Sequence, residues 1–205
     1  MKKVLLSAFE PFGGDATNTS LQVAEALRNE QIPGVQLQMV ELPVVRFEAP
    51  KQLIRVIQEE RPDLVVMLGE AGGRRGISPE RVAINLDDYP IPDNGGFQPC
   101  DEAIVSGGPV GYFSTLPLRA ILGRWKDAMI PAEISNTAGL YLCNHLFYQV
   151  MHYLATQGPS VPAGFVHVPR LREGEVKEPT VGFDQCVDAI RLLVEEVIER
   201  RSAWV

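Results

Sequence analysis

Asp63-Leu64-Val65-Val66-Met67-Leu68-Gly69-Glu70-Ala71-Gly72-Gly73 is the stretch that decides the fold. Residues 64–68 are continuously apolar over the length of a buried strand, and the small residues after them stop the run. A strand apolar on both faces needs cover on both, which is how strands of a parallel α/β sheet read. Its neighbours in sequence fit that reading. Val4–Phe9 is a second short apolar run, broken by Glu10-Pro11-Phe12-Gly13-Gly14, and Gly164–Val168 is a third, ended by Pro169. Val35–Glu41 alternates, with Val35, Leu37 and Met39 on one side.

Helical spacing fills the intervals. Ser20–Arg28 places Leu21, Ala24 and Leu27 on one face, with Ser20 as a cap, and Leu53, Val56 and Ile57 form a stripe between Pro50 and Glu60. Leu116–Lys126 and Phe183–Arg201 read the same way. Arg81–Asn85 is a short strand, and Pro and Gly make residues 89–112 a long loop. Ala132–Ser135 is extended, turns at Ala138-Gly139 and enters a helix that runs to Gln157. Strands alternating with helices predict an α/β chain, a single-domain α/β/α sandwich spanning residues 1–205 with a largely parallel twisted sheet.

Composition narrows the function. At 205 residues and 45% hydrophobic, the chain can bury a full-sized core. Its net charge of −7, with no basic run beyond Arg74-Arg75 and Arg200-Arg201, disfavours a nucleic-acid partner. No stretch approaches the ~18 apolar residues of a membrane span, so no membrane role is expected. After Lys2-Lys3 the apolar run stops at Glu10-Pro11, too short for a secretory signal. Cys100, Cys143 and Cys186 are odd in number and far apart. They suggest neither a disulfide framework nor a metal site, and no cofactor is expected; a reducing cytoplasm is.

Cys143 falls in the first turn of the helix that follows Ala138-Gly139, where unpaired N–H groups and the dipole favour an anion. A thiol so placed can become a nucleophile near neutral pH, although a small core cysteine is the plainer reading. A nucleophilic thiol needs a base, and the sequence offers three histidines. His145 lies roughly 200° around the same helix and His152 more than two turns away, which makes them surface or packing residues. His167, at the end of a different strand, is left. For a group to orient it, Glu10, Glu70, Glu80, Asp87, Asp88 and Asp93 all remain open. In open α/β sheets, sites gather beyond the carboxyl ends of the strands. Phe9–Gly14, Glu70–Gly73, Asn136–Cys143 and His167 would all meet there.

Several motifs resemble one known family. They are Phe9-Glu10-Pro11-Phe12-Gly13-Gly14 with Asn18, Gly69-Glu70-Ala71-Gly72-Gly73-Arg74, Ile77–Asn85, Ile91-Pro92-Asp93-Asn94, Gln98-Pro99, Gly107-Gly108-Pro109, Leu116-Pro117, Ser135–Asn144 and Phe165–Pro169. In order, over residues 3–170, they resemble pyroglutamyl peptidase I. The resemblance implies a cytoplasmic cysteine exopeptidase that removes N-terminal pyroglutamyl residues from peptides through a thioester. It implies Cys143 as nucleophile, His167 as base and Glu80 as the group that orients it. Phe9, Phe12 and Ile91 match apolar residues of the lactam pocket, and Asn18 matches a substrate-proximal asparagine. Relatives form homotetramers, so a homo-oligomer is expected. An amidase acting on another small neutral amide, or an impaired member of the family, are the alternatives.

The chain departs from the family in places. Asp88-Tyr89-Pro90 stands where Asp-Ala-Arg is common, so a guanidinium is missing there. Glu70 replaces a common glutamine, and Val44 stands where some relatives carry a pocket threonine. Arg170-Leu171-Arg172 follows Pro169 in place of an apolar continuation.

Overall fold

The computed structural model describes residues 1–171 and 180–202. Its main sheet takes β1 (Lys2–Phe9), β2 (Val35–Leu42), β3 (Leu64–Ala71), β4 (Ser78–Pro79) and β7 (Ala163–Pro169) in the order β2-β1-β3-β7-β4. The first four of these positions are parallel, and β4 is antiparallel to β7. The expected α/β fold with a largely parallel sheet is therefore what forms. A separate hairpin pairs β5 (Val82–Ile84) with β6 (Gly111–Phe113). β4 and β6 are absent from the sequence reading because runs of two and three residues carry no usable period. The extended run Ala132–Ser135 is not a full strand, but it lies along the sheet edge through single bridges, Ile77 to Ala132 and Glu80 to Ser135.

Helices cover both faces. α1 (Thr19–Arg28), α3 (Leu118–Asp127) and α5 (Phe183–Ser202) pack on one core, which takes Val4, Leu6, Val66, Leu68, Val166 and Val168 from the strands. α2 (Glu48–Glu60) and α4 (Leu142–Thr156) pack on the other, with Leu5, Phe9, Val65, Met67 and Phe165. Alternate strand residues thus feed opposite cores, which is why the strands read as unbroken apolar runs. Each fully buried Leu, Ile or Phe contributes about 1.5–3 kcal/mol.

Local chemistry adjusts two helix starts. Asn18, not Ser20, caps α1: its side-chain oxygen accepts from the Ser20 amide at 2.9 Å. α2 opens at Glu48, two residues before Pro50, so the proline sits in the first turn where no amide partner is lost. Among the described residues, no helix is long and apolar enough to cross a membrane. Arg172 lies outside the described residues.

Candidate active site

The strand order reverses at β1: β2 lies on one side of it and β3 on the other, so a crevice opens at the carboxyl ends of these strands. Phe9 ends β1, Gly69 lies near the end of β3 and His167 near the end of β7. Gly69 and His167 are register partners, so both face the core shared with α2 and α4. A Cβ on Gly69 would stand 3.0 Å from the Cys143 sulfur and 2.7 Å from the Phe165 ring. The glycine therefore leaves the room in which the sulfur sits, on the face of the sheet that carries His167. Cys143 is the second residue of α4, as the small-residue turn before it predicts. Asn144 fixes that helix start to β5, accepting from the Ile84 amide at 3.0 Å and donating to the Ile84 and Leu86 carbonyls.

Among the six candidate carboxylates, the one on the imidazole is Glu80. His167 Nδ1–H donates to Glu80 Oε1 at 2.7 Å, with both side chains buried. Two strand-like bonds hold Glu80 in place, from its own amide to the Phe165 carbonyl and from the Arg81 amide to the Ser135 carbonyl. Arg74 Nη1 lies 2.8 Å from the same Glu80 oxygen, and its Nη2 donates to the Thr137 carbonyl. A guanidinium thus reaches the site although position 90 is proline.

Burial first, then the Glu80 charge, push the Cys143 thiol up to about 12, with Arg74 acting the other way. Burial likewise lowers the pKa of His167, helped by Arg74 and opposed by its bond to Glu80. Desolvation thus opposes the helix start at Cys143 and favours the neutral imidazole at His167.

Of the residues matched to the lactam pocket, Phe9 is buried at the end of β1 on the Cys143 face. Phe12 is partly buried, its ring 6.3 Å from that of Tyr141, while Ile91 is 45% exposed at the rim. Asn18 is buried and engaged locally, capping α1 and donating to the Glu10 carbonyl at 3.3 Å. It shapes the loop that carries Phe12. Two aromatic residues were missed. Tyr141 caps α4 without a side-chain bond, packs on Tyr89 at 4.7 Å and donates to the Pro92 carbonyl, so it ties the Ile91 loop to the helix. The signal for it was its place directly before Leu142-Cys143.

The remaining candidates have other partners. Of the two readings open for His145, packing holds: it is fully buried, with Nδ1 2.7 Å from Asp87, and Asp87 also meets Arg46. His152 is partly buried, bonded to the Tyr112 hydroxyl. Glu10 accepts from the Val44 amide and Asn94, and Asp93 from the amides of Arg46, Gly95 and Phe97. Cys186 is buried in the α5 core, while Cys100 is exposed, its thiol pushed up by Asp88 and then Asp101. Among the described residues no group of three or more His, Cys, Asp or Glu side chains could hold a metal ion. A cavity of about 660 Å³ lined by Arg81, Phe113, Leu116, Arg119 and Arg200 lies away from Cys143.

The family model described as pyroglutamyl peptidase matches residues 2–200. The pyrrolidone-carboxylate peptidase of Vibrio campbellii is 45% identical over 204 residues, 98% of this chain and 95% of the relative. That of Bacillus cytotoxicus is 43% identical, covering 97% and 94%. Two solved structures are similar in fold. The pyroglutamyl peptidase I of Bacillus amyloliquefaciens has a TM-score of 0.91 at 37% identity, covering 96% of this chain and 94% of its own. The pyrrolidone carboxyl peptidase of Pyrococcus furiosus also has a TM-score of 0.91, at 39% identity, covering 97% and 99%.

Proposed function

The chain belongs to the pyroglutamyl peptidase family of hydrolases, and on that premise we propose that it removes N-terminal pyroglutamyl residues from peptides by covalent catalysis at Cys143. Glu80 holds the His167 imidazole with Nδ1–H inward, which leaves Nε2 as the basic nitrogen. When the substrate closes over the site, Nε2 takes the thiol proton and the sulfur attacks the pyroglutamyl carbonyl carbon. The first-turn amides of α4 have no intrahelical partners and stabilise the oxyanion that forms. His167 then gives its proton to the departing peptide amine, which leaves a thioester on Cys143. Water, deprotonated by the same nitrogen, hydrolyses the thioester and restores the thiol. Arg74 balances the Glu80 charge throughout.

Pyroglutamate suits the walls proposed for it. Its amine is already an amide, so Phe9, Phe12 and Ile91 need desolvate no ammonium. We place the enzyme in the cytoplasm as a homo-oligomer, a homotetramer by family resemblance, and the exposed apolar side chains of Val110, Phe113 and Met129 support an associating surface.

The single observation that carries the proposal is the pairing of Glu80 with His167 on the strand position beside Gly69, against which the Cys143 sulfur packs. Cys143→Ala should abolish hydrolysis of a pyroglutamyl anilide, while Cys100→Ala and Cys186→Ala stay active. Acid-quenched wild-type enzyme should carry one pyroglutamyl group on the peptide containing Cys143. Activity in the Cys143→Ala variant would refute the mechanism.

A further inference from the structure

Glu70 lies one residue beyond Gly69 on β3, so its side chain leaves the sheet on the face opposite the thiol. That carboxylate is almost fully buried, with 1% of the side chain exposed, yet it plays no part in the chemistry proposed above. Its Oε2 accepts from the Thr19 amide at 2.7 Å, at the start of α1. Its Oε1 accepts from Arg170 Nε at 2.7 Å, directly after β7. Arg170 in turn places Nη2 3.3 Å from Asp15. Asp15 closes the turn on which the pocket depends, because its amide donates to the Phe12 carbonyl at 3.2 Å. Between those two residues stand Gly13 and Gly14 at φ of 65° and 84°, a conformation that costs glycine little. The turn is thus closed by one backbone hydrogen bond and held by a charged tether.

We propose that Glu70 and Arg170 are positioning residues for substrate: they hold Asp15, and through it the Phe12 wall of the pocket, from the opposite face of the sheet. This rests on the reading of Phe12 as a pocket residue. The tether touches neither Cys143 nor His167, so it sets how well substrate is held and leaves the rate of the chemical step alone. Ordering the Phe12 turn before substrate arrives lowers the entropy that binding must otherwise spend.

The test measures anilide kinetics and amide hydrogen exchange in Arg170→Gln, Arg170→Lys, Glu70→Gln and the double variant Glu70→Gln/Arg170→Gln. In Arg170→Gln, KM should rise about 5–10-fold with kcat within about twofold, the signature of lost binding with the chemical step intact. Exchange at residues 12–17 should speed up about tenfold without a matching change in α4. Arg170→Lys, which keeps the cation, should recover at least half of both effects. The double variant should be no worse than either single one, because both remove the same link. Unchanged KM and exchange in Arg170→Gln, a fall in kcat at constant KM, or additive effects in the double variant would each overturn the proposal. Should Glu70→Gln fail to fold, the two Arg170 variants decide the matter alone. If the wild-type enzyme does not cleave the anilide, the activity assignment fails, and the exchange data still judge the tether.

Discussion

Cys143, His167 and Glu80 stand 24 to 87 residues apart in sequence and acquire their meaning from two opposed effects, helix position and burial. Burial wins at rest, and this sets a pH dependence. His167 accepts a proton only when neutral, and its pKa is lowered, so kcat/KM should fall on the acid side only below the ordinary histidine value of about 6.5. A pH profile with its acid limb above that value would contradict a desolvated neutral base. Glu80→Gln would keep the shape of the site but lose the charge that favours the Nδ1–H tautomer and the imidazolium. A drop in kcat of about 10²–10⁴-fold with an unchanged melting temperature is expected, from steady-state kinetics and thermal unfolding. At this scale the sequence was only partly legible. Elimination among the histidines reached His167, but six carboxylates stayed open on spacing, and the family resemblance was needed to prefer Glu80. The buried partner of His145 was invisible, because nothing in the local pattern links it to Asp87, 58 residues away.

The strands place these groups, and Gly69 shows how little room they have. A methyl group there would meet the Phe165 ring at 2.7 Å and the Cys143 sulfur at 3.0 Å, inside a paired strand that cannot shift freely. Gly69→Ala should therefore fold with a loss of about 1–3 kcal/mol, from overpacking. The displaced sulfur should cost kcat about 100-fold, as misplacement by about 1 Å does. Full activity in a folded Gly69→Ala protein would mean that the sulfur does not react from this position. Among the described residues, the four long strands and the five helices were legible because a strand apolar on both faces and an amphipathic helix each leave a periodic trace. The two-residue β4, the hairpin partner β6 and the edge bridges of Ala132 and Ser135 leave none, since their pairing is decided by what lies across from them. Glu70 and Arg170 show the same limit. Each read singly as a departure from a family pattern, and only the fold brings them to 2.7 Å.

Across the whole molecule, the sheet gathers loops from three strand ends into one crevice with a thiol and a buried histidine–carboxylate pair, and the walls proposed for the substrate are neutral. The fold class followed from the alternation of strands and helices. The rule that sites form at carboxyl strand ends pointed to Phe9–Gly14, Glu70–Gly73, Asn136–Cys143 and His167, whereas the packing of Tyr89 on Tyr141 left no trace in the sequence. Neutral walls make a demand on specificity. A prolyl group brings a protonated amine and no ring carbonyl, and a glutaminyl group brings an open chain with the same charge. Burying that ammonium without a partner costs several kcal/mol. A site that hydrogen-bonds the lactam oxygen, as the proposed function requires, would also leave its donors unpaired, which can cost about 10⁴-fold or more in discrimination. The most direct test is to measure kcat/KM for pyroglutamyl, prolyl and glutaminyl anilides with one enzyme preparation. The pyroglutamyl substrate should exceed the other two by about 10⁴-fold, and comparable values for the prolyl substrate would contradict a pyroglutamyl-specific site.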